Sequence, residues 1–271
     1  MKTVSVFSWN PRRPVAASVL GKRIRGLART NNFGDLLGPL LAAQIASPAP
    51  VRVIHGPRPQ KLLTIGSVLH YARDSDCVWG SGVNGKVAIN MHRFSNLDVR
   101  AVRGPLTRAF LQDRGIAVPE VFGDPGLLTP VLFPKLRDRA LDKKFDLTIV
   151  PNLNDLPNFA GYDHVLDPTQ AMDTCLERIA MSRFVVGSSL HAIVVAESLG
   201  IPARIVSSPN ESEFKYRDYY EGTGRTDVDF APSIASALAM GGVAPAVFDP
   251  SRLLDAFPID LWGLSRSEAL Q

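Results

Sequence analysis

No run of about 18 apolar residues occurs in this 271-residue chain, which excludes a membrane-crossing helix on length. The N-terminus lacks the apolar core of a signal peptide, so the expectation is a chain that is not exported by the usual route. Cysteine is scarce. Cys77 and Cys175 lie far apart in apolar surroundings, as two buried thiols in a reducing compartment would. The cytoplasm is therefore the expected location, with any contact at the inner face of the membrane peripheral. The five histidines (His55, His70, His92, His164 and His191) show no metal-ligand spacing, and no G-x-S-x-G elbow is present; the expectation is no metal and no serine-hydrolase chemistry. A formal charge of +4, without a basic stripe interleaved with aromatics, argues against a nucleic-acid partner. Acidic residues are missing altogether before Asp35, whereas seven basic ones precede it (Lys2, Arg12, Arg13, Lys22, Arg23, Arg25, Arg29). That local positive field suits an anionic substrate or an acidic membrane surface, and equally a solvated basic face.

With 45% hydrophobic residues and a mean hydropathy of +0.05, the chain can bury one large core or two. Short apolar runs, among them "KTVSVFSW", "LLTIGS", "CVWGSG", "DVRAVRG", "FDLTIVPN" and "RFVVGSS", alternate with helical patterns. This predicts α/β architecture with parallel sheets. Gly104-Pro105 opens one helix, with Gly115 as its stop, and Asp167-Pro168 opens another. The charged stretch "FPKLRDRALDKKF" reads as an interdomain boundary. The expected organisation is a Rossmann-like domain over 1–135, a second over 145–240, and a Pro-rich tail over 241–271 that packs back on the first.

Four strand-to-helix junctions carry candidate chemistry, because open α/β sheets bind ligands at the carboxyl ends of their strands. In "VVGSSLHAIVV" an apolar strand ends at glycine, Ser188 and Ser189, and His191 opens a helix whose free N–H groups attract an anion. An imidazole there is a candidate acid/base, or else a structural cap. In "VRGPLTRAFL" Arg103 ends a strand and should project into the crevice as an oxyanion ligand, with Arg108 on the first helical turn; a plain ion pair is the alternative. In "TNNFGDLLG" Asp35 reads first as a helix cap, and Asp124 of "FGDPGLL" reads the same way. "GSGVNG" (Gly80 to Gly85) matches a dinucleotide fingerprint literally, but "KVAINMH" after it reads as extended, so the required helix is missing. "DSD" (Asp74 to Asp76) reads as a turn.

In this order "NNFGD", "IGSVL", "VWGSGV", "VRGPLT", "FGDPGLL", "SSLHAIVVAESLGIP" and "FKYRDYY" resemble the polysaccharide pyruvyltransferase family, particularly its bacterial exopolysaccharide ketal pyruvyltransferases. The resemblance implies a GT-B-like fold, two Rossmann-like domains facing a cleft, with the acceptor on the N-terminal and the donor on the C-terminal side. It implies phosphoenolpyruvate as co-substrate, no cofactor, and a pyruvate ketal formed on the diol of a saccharide, in some settings lipid-linked. His191 matches the family acid/base and Arg103 the arginine associated with the donor. Ser188, Ser189 and Leu190 accompany them on the donor side, with Lys215, Arg217 and Arg108 as further positive charge. Asn32, Gly34, Asp35, Ser81, Gly82 and Asp124 are the acceptor-side candidates. The chain departs where many members carry arginine before the Leu-His pair and histidine after the strand proline: Ser189 and Asn152 stand there. Fold alone leaves a nucleotide-sugar glycosyltransferase or a non-catalytic saccharide-binding protein open.

Overall fold

The computed structural model describes residues 1–19, 22–56, 58 and 60–265. Its first sheet is five-stranded and parallel, built from β1 (Val4–Phe7), β4 (Val51–Ile54), β5 (Lys61–Leu63), β6 (Cys77–Trp79) and β7 (Asp98–Ala101). The spatial order is β4-β1-β5-β6-β7, which is 2-1-3-4-5 along the chain. The intervening β2 (Arg12–Val19) and β3 (Lys22–Arg29) form a separate antiparallel pair. The inner strands β5 and β6 are buried along their whole length, as parallel strands covered on both faces must be. Even Lys61 is buried, and is neutralised by an ion pair with Asp76.

A second parallel sheet orders β10 (Ala203–Ile205), β9 (Val185–Gly187) and β8 (Thr148–Ile149). Single parallel bridges extend it on both sides, Ile149 to Val165 and Val206 to Ala231. Counted with those bridges, it repeats the 2-1-3-4-5 order. Gly187 ends β9 at φ +144, and a Cβ there would lie 2.1 Å from the Val150 carbonyl oxygen. Only glycine brings the two strands this close while turning the chain.

The helices are α1 (Phe33–Ala46), α2 (Pro105–Gln112), α3 (Thr129–Leu132), α4 (Pro134–Arg139), α5 (Met172–Ala180), α6 (Leu190–Ser198), α7 (Phe214–Gly222), α8 (Ile234–Met240) and α9 (Pro250–Asp255). Phe33, Leu37 and Leu41 of α1 share one buried cluster with Val150, Ile193 and Tyr216 from around the second sheet. The Phe33 N–H also donates to Pro168 O at 2.9 Å. A hydrophobic core therefore runs between the sheets. The tail crosses back: Leu253, Phe257, Ile259 and Trp262 pack with Val4, Val6 and Trp79, and the Trp79 indole donates to Leu253 O at 2.8 Å.

Some local expectations shift. The helix expected at Asp167-Pro168 begins at Met172 instead, because Asp167 accepts from the Thr169 N–H and holds a turn. "KVAINMH" contains a single 3-10 turn at Ile89–Met91. The β2–β3 pair was not anticipated, although "KRIRGLAR" alternates in the manner of a half-exposed strand. No helix among the described residues is long and apolar enough to cross a membrane.

Candidate active site

Chain segments that leave the carboxyl ends of strands in both sheets meet around one cavity of about 270 Å³. From the first sheet come Trp9 after β1, Ser67 to Tyr71 after β5, and Asn84 to Val87 after β6. The second sheet contributes Asn152 to Asn154 after β8, Ser189 to His191 after β9, and Glu211 and Lys215 after β10. In the first sheet this is the point where strand order reverses, between β1 and β5, which is where doubly wound sheets take ligands.

Two helices aim their N-termini into the cavity. Asn32, at the N-cap of α1, and Ser189, at the N-cap of α6, both line it, and neither side chain caps a backbone N–H of its helix. First-turn N–H groups left without such caps attract an anion. The Asn32 amide instead donates to Asp35 Oδ2 at 2.6 Å. The expected Asp35 cap is thus corrected: Asn32 holds the cap position, and Asp35 sits one turn in, on the cavity wall.

The His191 ring packs against α1. A Cβ on Gly34 would lie 2.3 Å from its Nδ1, so only glycine fits there, and Nε2 is buried without a partner. Burial pushes the imidazole pKa down to about 3, helped by the charges of Lys215 and Arg103. His191 is therefore neutral at physiological pH. Asp35 moves the opposite way: burial raises it to about 7, against the Asn32 hydrogen bond and the charge of Lys215. Both groups flank Gly66, where a Cβ would lie 3.7 Å from Asp35 Oδ1 and 3.8 Å from His191 Cε1. A base and an acid with separated pKa values thus share one wall, the arrangement that acid–base chemistry needs.

Positive charge comes from lysine. Glu211 is held between Lys215 at 2.9 Å and Lys86 at 2.7 Å. Burial alone would raise the Glu211 pKa, but the two ammonium groups lower it. Lys215 is buried, which lowers its own pKa.

The other candidates lie elsewhere. Arg103 does not reach the cavity lining: it is fully buried, paired with Asp218 at 2.8 Å, and donates to Ser67 Oγ at 2.6 Å and Val83 O at 2.8 Å. It braces Ser67 from beneath. Arg108 donates to Val118 O, and Arg217 pairs with Glu213 on the surface. Ser81 donates to Gly66 O, and Gly82 gives room to the Arg103 guanidinium. Asp124 is buried, caps Gly126 N–H at 2.8 Å, and is raised to about 6 by burial. Ser188 lies behind Ser189 and donates to Asp155. Trp9, Tyr71, Lys86 and Glu211 were missed by the sequence expectations. The Trp9 indole donates to the Tyr71 hydroxyl at 3.2 Å, making an aromatic wall opposite the charged one.

Comparison with known proteins identifies the family. The succinoglycan biosynthesis protein ExoV of Rhizobium meliloti (strain 1021) is 26% identical over 179 residues, 62% of this chain and 55% of that protein. The chain thus aligns with about half of that relative's length. Residues 57–210, more than half of the chain, match the family described as polysaccharide pyruvyl transferase. The match takes in Ser67, Lys86, Asn152 and the Ser189-Leu190-His191 junction, and on this ground the chain belongs to the polysaccharide pyruvyl transferase family.

Proposed function

We propose that the protein transfers the pyruvyl group of phosphoenolpyruvate to two hydroxyls of a saccharide, forming a cyclic ketal and releasing phosphate. The observation that carries this is the convergence of two helix N-termini, free of side-chain caps, on a neutral histidine beside Lys215 and Lys86. A small trianion fits such a setting, because helix N–H groups and ammonium ions together offset its charge. The donor takes the place of Glu211 against the lysines. The aromatic wall of Trp9 and Tyr71 receives the sugar, whose C–H faces pack on rings. Two Rossmann-like units in a GT-B-like arrangement supply the two sides.

The chemistry requires a proton delivered to the methylene carbon, attack of the first hydroxyl at C2, departure of phosphate, and closure by the second hydroxyl. Asp35, with a pKa of about 7, retains a proton at neutral pH and delivers it to the methylene. His191 is neutral and accepts the proton of the first hydroxyl, which leaves with the phosphate, and the proton of the second hydroxyl restores the Asp35 acid. The donor's negative charge raises the imidazole pKa once it is bound, so the base strengthens when it is needed. No metal or cofactor takes part in this scheme.

The test is incubation with phosphoenolpyruvate and synthetic or lipid-linked oligosaccharides, reading phosphate release and the ketal mass increment. Turnover should persist in EDTA. Protection of the fold by UDP or GDP, with none by phosphoenolpyruvate, would instead indicate a nucleotide-sugar enzyme. Saccharide binding without phosphate release would indicate a binding protein.

A further inference from the structure

The β2–β3 pair joins neither parallel sheet, and its ladder runs in unbroken register from Arg12↔Arg29 to Val19↔Lys22. Eight residues per strand extend roughly 25 Å. Between Arg12 and Arg29 the sequence holds six basic residues, no acidic residue and no aromatic. Apolar residues lie among them, including Val15, Val19, Ile24 and Leu27. Arg12, Arg13 and Arg29 are exposed, and Leu27 is 66% exposed.

The base of this ribbon is built into the cavity rim. The Asn10 amide donates to Asn31 Oδ1 at 3.0 Å, and the Asn31 N–H donates back to Asn10 Oδ1 at 2.9 Å. The neighbours of that clasp on either side, Trp9 and Asn32, both line the cavity. Whatever holds the ribbon therefore holds the cavity mouth beside it.

We propose that the β2–β3 ribbon docks on the surface of an anionic lipid bilayer, drawn to its headgroups by the ribbon's basic residues. Charge complementarity supports a bilayer, since six basic residues and no acidic one between Arg12 and Arg29 on one projection match a negatively charged surface. The absence of aromatics between Arg12 and Arg29 removes the stacking platforms used to hold single-stranded nucleic acid. Docking does not depend on the proposed reaction, and the two can fail separately.

The experiment is co-sedimentation of the intact protein with phosphatidylglycerol/phosphatidylcholine vesicles and with pure phosphatidylcholine vesicles, at low and physiological salt. Binding is expected only to the anionic vesicles and should weaken steeply with salt. Each basic residue at such a surface contributes roughly fivefold to partitioning. The variant R12Q/K22Q/R23Q/R25Q should therefore bind a few hundred-fold more weakly while keeping its melting temperature and its response to phosphoenolpyruvate. Arg13, 5.7 Å over the Trp9 ring, and Arg29, which donates to Asn10 O, are left intact. The proposal is overturned by equal binding to neutral vesicles, by no binding to anionic ones, by a variant that binds like the parent, or by preferential capture of RNA or DNA over anionic vesicles.

Discussion

The junctions at Arg103-Gly104-Pro105 and Ser189-Leu190-His191 look alike in sequence, since each ends a parallel strand and opens a helix. In the structure the second faces the cavity and the first does not. The difference lies in what covers them. α7 lays Asp218 over Arg103, and that carboxylate also accepts from the Thr107 N–H at 2.9 Å and hydroxyl at 2.6 Å. His191 instead packs its ring on Gly34 and lines the cavity with Asp35 and Lys215. A strand-end position thus specifies which edge of a sheet a side chain occupies, while a partner more than a hundred residues away decides whether it meets a ligand.

Five substitutions test this contrast, the largest effect first. His191→Ala should lower kcat by about 10²- to 10⁴-fold with little change in melting temperature, measured by phosphate release and thermal unfolding. A loss confined to stability would make the histidine a structural cap. Arg103→Ala should do the reverse. Removing one partner of a buried ion pair costs about 3–5 kcal/mol, on the order of 10 °C for a chain of this size, and Asp218→Ala should produce a similar loss. Near-normal stability with weakened donor binding would place Arg103 back among the ligands.

Gly34→Ala drives a methyl group into the imidazole. It should lower kcat at least several-fold through displacement of His191, with a stability cost of about 1–3 kcal/mol for overpacking. A variant with full activity would show that the ring position is not critical. For Asp35→Asn the effect on stability is set by pH. The folded-state pKa of about 7 lies above the ordinary value of 3.8, so the native carboxyl loses stability as pH rises from about 4 to 7, by at most about 1.4 kcal/mol per unit. The variant should match the parent below pH 4 and be the more stable above pH 7. Its kcat profile should also lose the limb near pH 7.

Sequence pattern went far with the sheets. β1, β4 to β7 and β8 to β10 all fall on short β-rich runs; β6 and β9 are continuously apolar because both of their faces are buried, whereas the edge strands β4 and β7 carry the exposed Arg52 and the half-buried Arg100. His191 was legible as well, since a glycine-serine break between strand and helix marks a sheet edge. Three things were not legible. The burial of Arg103 depends on a tertiary partner. The shifted pKa of Asp35 depends on the wall formed by α6 and Lys215, which local sequence does not contain. Trp9 and Glu211 reach the cavity from loops without a motif, and Lys86 opens "KVAINMH", a segment that carries no motif of its own.

The core that α1 shares with the second sheet bears on how ligands enter. A hinge opening between the two sheets would expose Phe33, Leu37 and Leu41, all fully buried. At about 1.5–3 kcal/mol each, that exposure costs roughly 5–9 kcal/mol, leaving fewer than about one molecule in a thousand open. The halves therefore behave as a fixed frame and not as a jaw, and traffic passes through the rim. Small-angle scattering profiles with and without phosphoenolpyruvate should superimpose, and exchange of bound ligand should follow the motion of the 84–87 and 152–154 loops.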